Sequence, residues 1–189
     1  VALVFIALVM AVNLWGVGES VKANIVLTLI ELSGLLLVIV VGFIAMSNGK
    51  ADFSRALVFE TPQDKGTFLA VSAATSVAFF AMVGFEDSVN MAEETKEPNK
   101  IFPKIMLTGL GITGIIYVLV SITAVAIVPV GELTKTGATP LLTVVQMGAP
   151  GLPFGAIFPF ISMFAVANTA LINMLMASRL LYGMSKQGI

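Results

Sequence analysis

The sequence predicts an all-α protein that crosses a lipid bilayer several times. Of its 189 residues, 58% are hydrophobic and 11% are charged, and the mean hydropathy is +1.02. So few charged side chains cannot cover the surface of a water-soluble domain of this length. Long apolar runs alternate with polar loops, and an apolar helix of about 20 residues is what the hydrocarbon core of a bilayer requires. We therefore expect one polytopic unit in contact with lipid.

The residue types that the chain lacks exclude several classes of function. It has no cysteine and no histidine, so we expect no disulfides, no thiolate or histidine chemistry and no zinc or haem site. The formal net charge of -1 argues against a nucleic-acid partner, because such binding needs clustered lysine and arginine. No nucleophile, base and orienting group can be assembled into a catalytic set. Neither an enzyme nor a bound cofactor is expected.

Hydrophobicity divides the chain into five membrane segments. It predicts a partial helix at residues 1–13 and spans at residues 21–46, 67–95, 104–128 and 156–183. The first segment is too short to span alone, so the chain is expected to be an internal part of a longer polytopic protein. Polar connectors are predicted at residues 47–66 and 129–155, with a short surface helix at residues 141–147.

Two local patterns refine these segments. The stretch NLWGVGES predicts a tight turn after the first helix, in which Glu19 or Ser20 caps the next helix. Gly109, Gly111 and Gly114 lie near the start of the span at residues 104–128. Small residues at this spacing predict close helix packing there.

The second segment carries a carboxyl group inside the bilayer. Glu31 lies about ten residues into the span, which is about 15 Å along a helix and near the bilayer centre. Asn24, Thr28 and Glu31 recur at helical spacing, so this polar stripe should face protein or water. Two roles remain open: a protonated Glu31 hydrogen-bonded to a neighbouring helix, or a group on an ion or substrate pathway.

The last segment also has a small and polar face. Ser162, Ala165, Thr169 and Asn173 fall three or four residues apart. Such a face either packs against another helix or coordinates a cation.

The stretch that points most specifically to a function is residues 79–103. There an apolar run is followed by Gly84 and then by four acidic residues, Glu86, Asp87, Glu93 and Glu94. One interpretation is an ordinary membrane helix that ends near Phe85. The other is a helix that is broken near residues 81–85 in mid-membrane. Irregular backbone at that depth is tolerated only where it lines a cavity, and there it can hold ions or charged substrate groups. A break would therefore mark a binding site.

Three stretches together resemble the amino acid, polyamine and organocation transporter superfamily. Its sixth-helix signature is similar to residues 84–105, GFEDSVNMAEETKEPNKIFPKI. The junction of its fourth and fifth helices resembles residues 13–32, NLWGVGESVKANIVLTLIEL, and the end of its eighth resembles residues 178–188, SRLLYGMSKQG. The resemblance implies two inverted repeats of five helices, with helices one and six broken. It places this chain from the end of helix four through helix eight, and it favours the broken helix.

The resemblance also implies where a substrate binds. The positions at which the family exposes backbone carbonyls to a substrate amino group match Phe80, Ala81, Val83, Gly84 and Phe85, and the ring of Phe80 resembles a gate. Helix one, whose amides would bind the substrate carboxylate, is expected elsewhere in the longer protein.

Coupling residues follow from the same resemblance. Proton-coupled members of the family have a lysine at the position that corresponds to Glu31. Either Glu31 is itself the proton carrier, or it binds a cation such as Na⁺ together with Thr169. Glu86 matches a family acid, and it either responds to pH or anchors the break through hydrogen bonds to backbone amides.

The expected function is secondary active transport of amino acids or related amines by alternating access, coupled to H⁺ or another cation. Its partners would be a small-molecule substrate, the lipid bilayer and the remaining helices of the same protein. We expect a multi-pass protein of the plasma or inner membrane. The alternatives are a non-transporting scaffold or accessory subunit of the same fold, and a membrane-embedded enzyme, which the missing catalytic groups disfavour.

Overall fold

The computed structural model describes residues 2–58, 66–84, 89, 95–137, 139–186 and 188. Within these residues the secondary structure is helical and contains no β-strand. Among the described residues, three helices are long and apolar enough to cross a membrane: Gly18–Ser47, Pro98–Ile127 and Phe154–Lys186. The prediction of an all-α transmembrane fold is thus confirmed.

The described residues form seven α-helices and two short 3₁₀ elements. In chain order they are α1 (Ala2–Trp15), α2 (Val17–Ser47), a 3₁₀ helix (Phe53–Leu57), α3 (Thr67–Phe79), a second 3₁₀ turn (Phe80–Met82), α4 (Pro98–Ile127), α5 (Val130–Leu133), α6 (Pro140–Gly148) and α7 (Phe154–Lys186). The long helices begin two to six residues earlier than the hydrophobic pattern predicted. Pro98 opens α4, because a proline lacks the N–H that the first turn of a helix leaves unpaired.

The bend between α1 and α2 is made by one residue. Gly16 has φ 146° and ψ 160°, a conformation essentially restricted to glycine. The prediction that Glu19 or Ser20 caps α2 is wrong. Gly16 is the N-cap residue, and no side-chain capping hydrogen bond is formed there. Ser20 is buried instead. Its hydroxyl lies 3.1 Å from the Gly16 carbonyl oxygen, 3.2 Å from Asn13 Oδ1 and 3.3 Å from the Val12 carbonyl oxygen.

The core forms where α2 packs against α4, α6 and α7. Its fully buried side chains are small and β-branched: Val38 and Val41 of α2, Val128 after α4, and Val144 and Val145 of α6. Burying one such side chain stabilises the fold by about 1.5–3 kcal/mol. The core lies at the end of the bundle where α2 and α4 finish, and it fixes their separation from α7.

Glycines let these helices approach one another closely. A Cβ at Gly34 would lie 2.5 Å from Ile161 Cγ2 of α7, and a Cβ at Gly42 would lie 2.6 Å from Thr123 Cγ2 of α4. At Gly111, by contrast, no described atom comes within 4 Å of that position. At Gly114 the nearest atom is Met82 Cε at 4.0 Å, an ordinary contact distance. Within the described residues, therefore, close helix approaches are made by glycines of α2 and not by Gly111 or Gly114.

The connector after α2 is tied back to α4. The Asp52 amide donates to the Ala126 carbonyl oxygen at 2.8 Å, and the Asp52 carboxylate caps the 3₁₀ helix by accepting from the Ser54 amide. Hydrogen bonds from the Ser54 hydroxyl and amide lower the pKa of Asp52 from its usual value. This polar connector, predicted to be exposed to water, therefore has a defined structure through Leu57.

The helix α3 differs from the other predicted spans. It has 13 residues and none of them is buried. The predicted span at residues 67–95 is thus α-helical only from Thr67 to Phe79 within the described residues. Its exposed apolar side chains, such as Phe68 and Val77, suit contact with lipid or with further helices.

Candidate functional site

A cavity of about 520 Å³ lies between α2, α4, α7 and the end of α3. This volume is within the range of about 300–1,000 Å³ typical of small-molecule sites. Its polar lining side chains come from three helices: Thr28, Glu31, Thr113, Tyr117, Asn168, Thr169 and Asn173. The remaining wall includes Ala81, Val83 and Gly84 together with apolar side chains of the helices. A largely apolar cavity of this size with several polar side chains in its wall is a candidate binding site.

The backbone stops being α-helical where it reaches this cavity. Helix α3 ends at Phe79 and is followed by one 3₁₀ turn, Phe80–Met82. Val83 is extended, with φ -75° and ψ 144°, and Gly84 has φ 107°. Since only glycine adopts such a φ easily, Gly84 permits the chain to turn away from the helix axis. The continuation through Phe85 and Glu86 lies outside the described residues.

The predicted substrate-binding residues fall into three groups. Ala81, Val83 and Gly84 line the cavity. Phe80 does not; its side chain is 74% exposed and its ring meets that of Phe79 edge-on, with 6.4 Å between centroids. Phe85, like Glu86, is not described.

The structure brings the predicted coupling residues Glu31 and Thr169 to the same cavity. Glu31 is half-buried. The Thr169 hydroxyl donates to the Ala165 carbonyl oxygen at 3.1 Å, and the Asn173 amide donates to the Thr169 carbonyl oxygen at 2.8 Å. Thr169 therefore bonds within its own helix, while Glu31 bonds across to α7.

The side chain of Asn168 on α7 makes the hydrogen bonds between α7 and the polar stripe of α2, and it is only 6% exposed. Its Oδ1 accepts a hydrogen bond from Asn24 Nδ2 at 2.7 Å. Its Nδ2 donates to Thr28 Oγ1 at 3.1 Å and to Glu31 Oε2 at 3.3 Å. The polar stripe on α2 thus faces a neighbouring helix, as the spacing of its residues predicted.

A second cavity, of about 460 Å³, lies between α2, the start of α6 and the first half of α7. Most of its lining is apolar, with Thr139 and Ser162 contributing hydroxyl groups. Glu31 and Leu35 line both cavities. These two side chains therefore stand at the boundary between them.

Sequence reasoning missed Asn168, Thr113 and Tyr117 as members of the site. Asn168 had a usable signal, because an amide in the middle of an apolar span must find a partner to avoid the cost of an unpaired polar group. It lies three positions after Ala165 and one before Thr169, but it is not one of the four residues that define the polar face on α7. Thr113 and Tyr117 of α4 gave no comparable signal.

Three membrane-length helices within the described residues, with a cavity between them, define a multi-pass integral membrane protein. The chain belongs to the amino acid permease family, whose model matches residues 1–189. The resemblance to that superfamily is thereby confirmed. Permeases are not enzymes, which agrees with the expectation drawn from the missing catalytic groups.

The relatives are transport proteins of bacteria and plants. A methylthioribose transporter of Bacillus subtilis (strain 168) is 34% identical over 134 residues, covering 70% of this chain and 27% of that protein. The branched-chain amino acid permease BcaP of the same organism is 26% identical over 179 residues, covering 92% of this chain and 35% of that permease. The chloroplastic cationic amino acid transporter 9 of Arabidopsis thaliana is 30% identical over 189 residues, covering 98% and 31%.

The chain spans about a third of the length of these curated relatives. No solved structure matches it.

Proposed function

We propose that this chain is part of a secondary active transporter of amino acids or related amines, which works by alternating access in the plasma membrane. The observation that carries the proposal is the cavity of about 520 Å³, where non-helical backbone at Val83 and Gly84 meets Glu31 of α2 and Thr169 of α7. Family membership supports it, since two of the relatives above are named as amino acid transporters or permeases.

The broken end of α3 would bind the substrate amino group. Ala81, Val83 and Gly84 line the cavity beyond the end of α3, and backbone carbonyls at non-helical positions inside a membrane protein can attract an ammonium group. Phe80, exposed on the turn before them, would close over the bound substrate. The carboxylate of the substrate would bind amides of a broken helix from the other half of a five-plus-five inverted repeat.

Glu31 and Thr169 would couple substrate movement to a cation. A carboxyl group at this depth is costly in the membrane unless it serves a pathway or is well paired, and Glu31 reaches both cavities. It would carry a proton, or it would hold Na⁺ together with Thr169. Either ion would make uptake depend on its gradient.

Thermal unfolding of the full-length protein with added amino acids tests the proposal. A ligand that binds only the folded state raises the free energy of unfolding by about 2.7 kcal/mol at 100 times its dissociation constant. We expect stabilisation by at least one neutral or cationic amino acid or amine, and accumulation of that compound in proteoliposomes under an imposed ion gradient. A scaffold or accessory subunit would show neither response.

A further inference from the structure

The amide group of Asn168 has a fixed orientation. Its Oδ1 is occupied by Asn24 Nδ2 at 2.7 Å, so its Nδ2 faces Thr28 and Glu31. An ionised carboxylate can only accept hydrogen bonds, and an amide nitrogen can only donate. The order of donors and acceptors is thus consistent from Asn24 through Asn168 to Glu31.

This orientation makes the two oxygens of Glu31 unequal. Oε2 accepts from Asn168 Nδ2 at 3.3 Å. Among the residues that the structure describes, no hydrogen bond to Oε1 is formed. A proton that binds Glu31 without disturbing the network must therefore bind at Oε1.

Glu31 is also held at a particular place. With Leu35 it separates the cavity beside the α3 break from the cavity beside α6. Tyr117 of α4 is the other titratable side chain among the lining residues of the two cavities; α6, α7 and the described end of α3 contribute none.

We propose that Asn168 is the positioning residue of Glu31. By donating to Oε2 it presents Oε1 at the boundary, where Oε1 accepts a proton from water in one cavity and releases it to water in the other. The proposal rests on the proton-carrier role suggested above for Glu31. It adds the group that sets which oxygen exchanges the proton and where.

The test is an infrared titration of the purified full-length permease in lipid. The carbonyl stretch of protonated Glu31 is the band that Glu31→Gln removes. Asn168→Leu has nearly the same size but no donor, so it should move the midpoint of this band to higher pH by about one unit or more. Asn168→Asp keeps the shape and places a second carboxyl group beside Glu31, so its shift should be larger.

Ser33→Ala is the matched control on α2, because the exposed Ser33 hydroxyl bonds to the Ile30 carbonyl oxygen of its own helix. It should leave the midpoint in place. If the leucine variant does not fold, Asn168→Asp still tests the proposal, because it keeps the shape of the side chain. Equal midpoints in wild type and both Asn168 variants, or no titrating band lost in Glu31→Gln, would overturn the proposal.

Uptake measured against pH in the same variants separates this inference from the proposed function. A matching shift in uptake supports both. A shift of the infrared midpoint without any change in uptake keeps Asn168 as a positioning residue and removes proton coupling from the proposed function.

Discussion

Gly34 of α2 lies against Ile161 of α7 so closely that a β-carbon on the glycine would sit 2.5 Å from Ile161 Cγ2. Gly34→Val should therefore force the two helices apart. Overpacking of this kind costs about 1–3 kcal/mol. Thermal unfolding of the full-length protein should show a lower midpoint, whereas Gly183→Ala on α7, with open space around it, should not. Equal midpoints would mean that α2 and α7 are not in contact here.

The bend at Gly16 should be equally intolerant of a side chain. Gly16→Ala places an L-residue at φ 146°, and such backbone strain costs about 1–3 kcal/mol. Gly18→Ala, two residues later in α2 with nothing nearby, should be neutral or slightly stabilising, because alanine favours a helix. Comparing the unfolding midpoints of the two variants checks the bend. Equal effects would contradict the role given to Gly16.

Gly84→Ala should weaken substrate binding. Gly84 has φ 107° and lines the cavity, so an alanine there must move the backbone at the site to relieve strain. Strain of about 1.4 kcal/mol corresponds to a tenfold loss of affinity. We expect the KM for uptake to rise by about tenfold or more, with Gly183→Ala as the control. An unchanged KM would mean that the backbone at Gly84 does not take part in substrate binding.

Glu31→Gln should remove the pH dependence of uptake. Glutamine has nearly the same shape and its oxygen can still accept from Asn168, so the helix contact should survive. Glutamine has no ionisable proton, so this variant cannot exchange one at any pH between 5 and 8. Initial rates of uptake across this range, compared with Ser33→Ala, measure the effect. A variant with wild-type rates and wild-type pH dependence would exclude Glu31 as the coupling group.

The features that hydrophobicity dictates could be predicted from the sequence. Each of α2, α4 and α7 is a long apolar run, which predicts a membrane span. Asn24, Thr28 and Glu31 recur at the spacing of a helix turn, which predicts a polar stripe on one face of α2. Both signals are local. They report that a face is polar, and not which residue on another helix it meets.

Features that depend on two helices at once could not be predicted in this way. Asn168 is recognisable as the partner of Glu31 only after α2 and α7 are placed side by side. Gly34 and Gly42 are recognisable as packing positions only once Ile161 and Thr123 of the neighbouring helices are placed against them. Gly111 is also a glycine in an apolar helix, but no described residue packs against it in this way. The apolar run at residues 67–85 left two interpretations open, a helix that ends and a helix that is broken, and only the resemblance to a known family favoured the second. The described residues show that α3 ends at Phe79.

The buried hydroxyl of Ser20 has one proton and three oxygen atoms within 3.3 Å that can receive it. Two of these acceptors belong to α1, at Val12 and Asn13, and the third is the carbonyl oxygen of Gly16 itself. A serine at the start of α2 therefore ties that helix back to the end of α1 across the bend, and its replacement by alanine would leave the angle between the two helices to the Gly16 backbone alone.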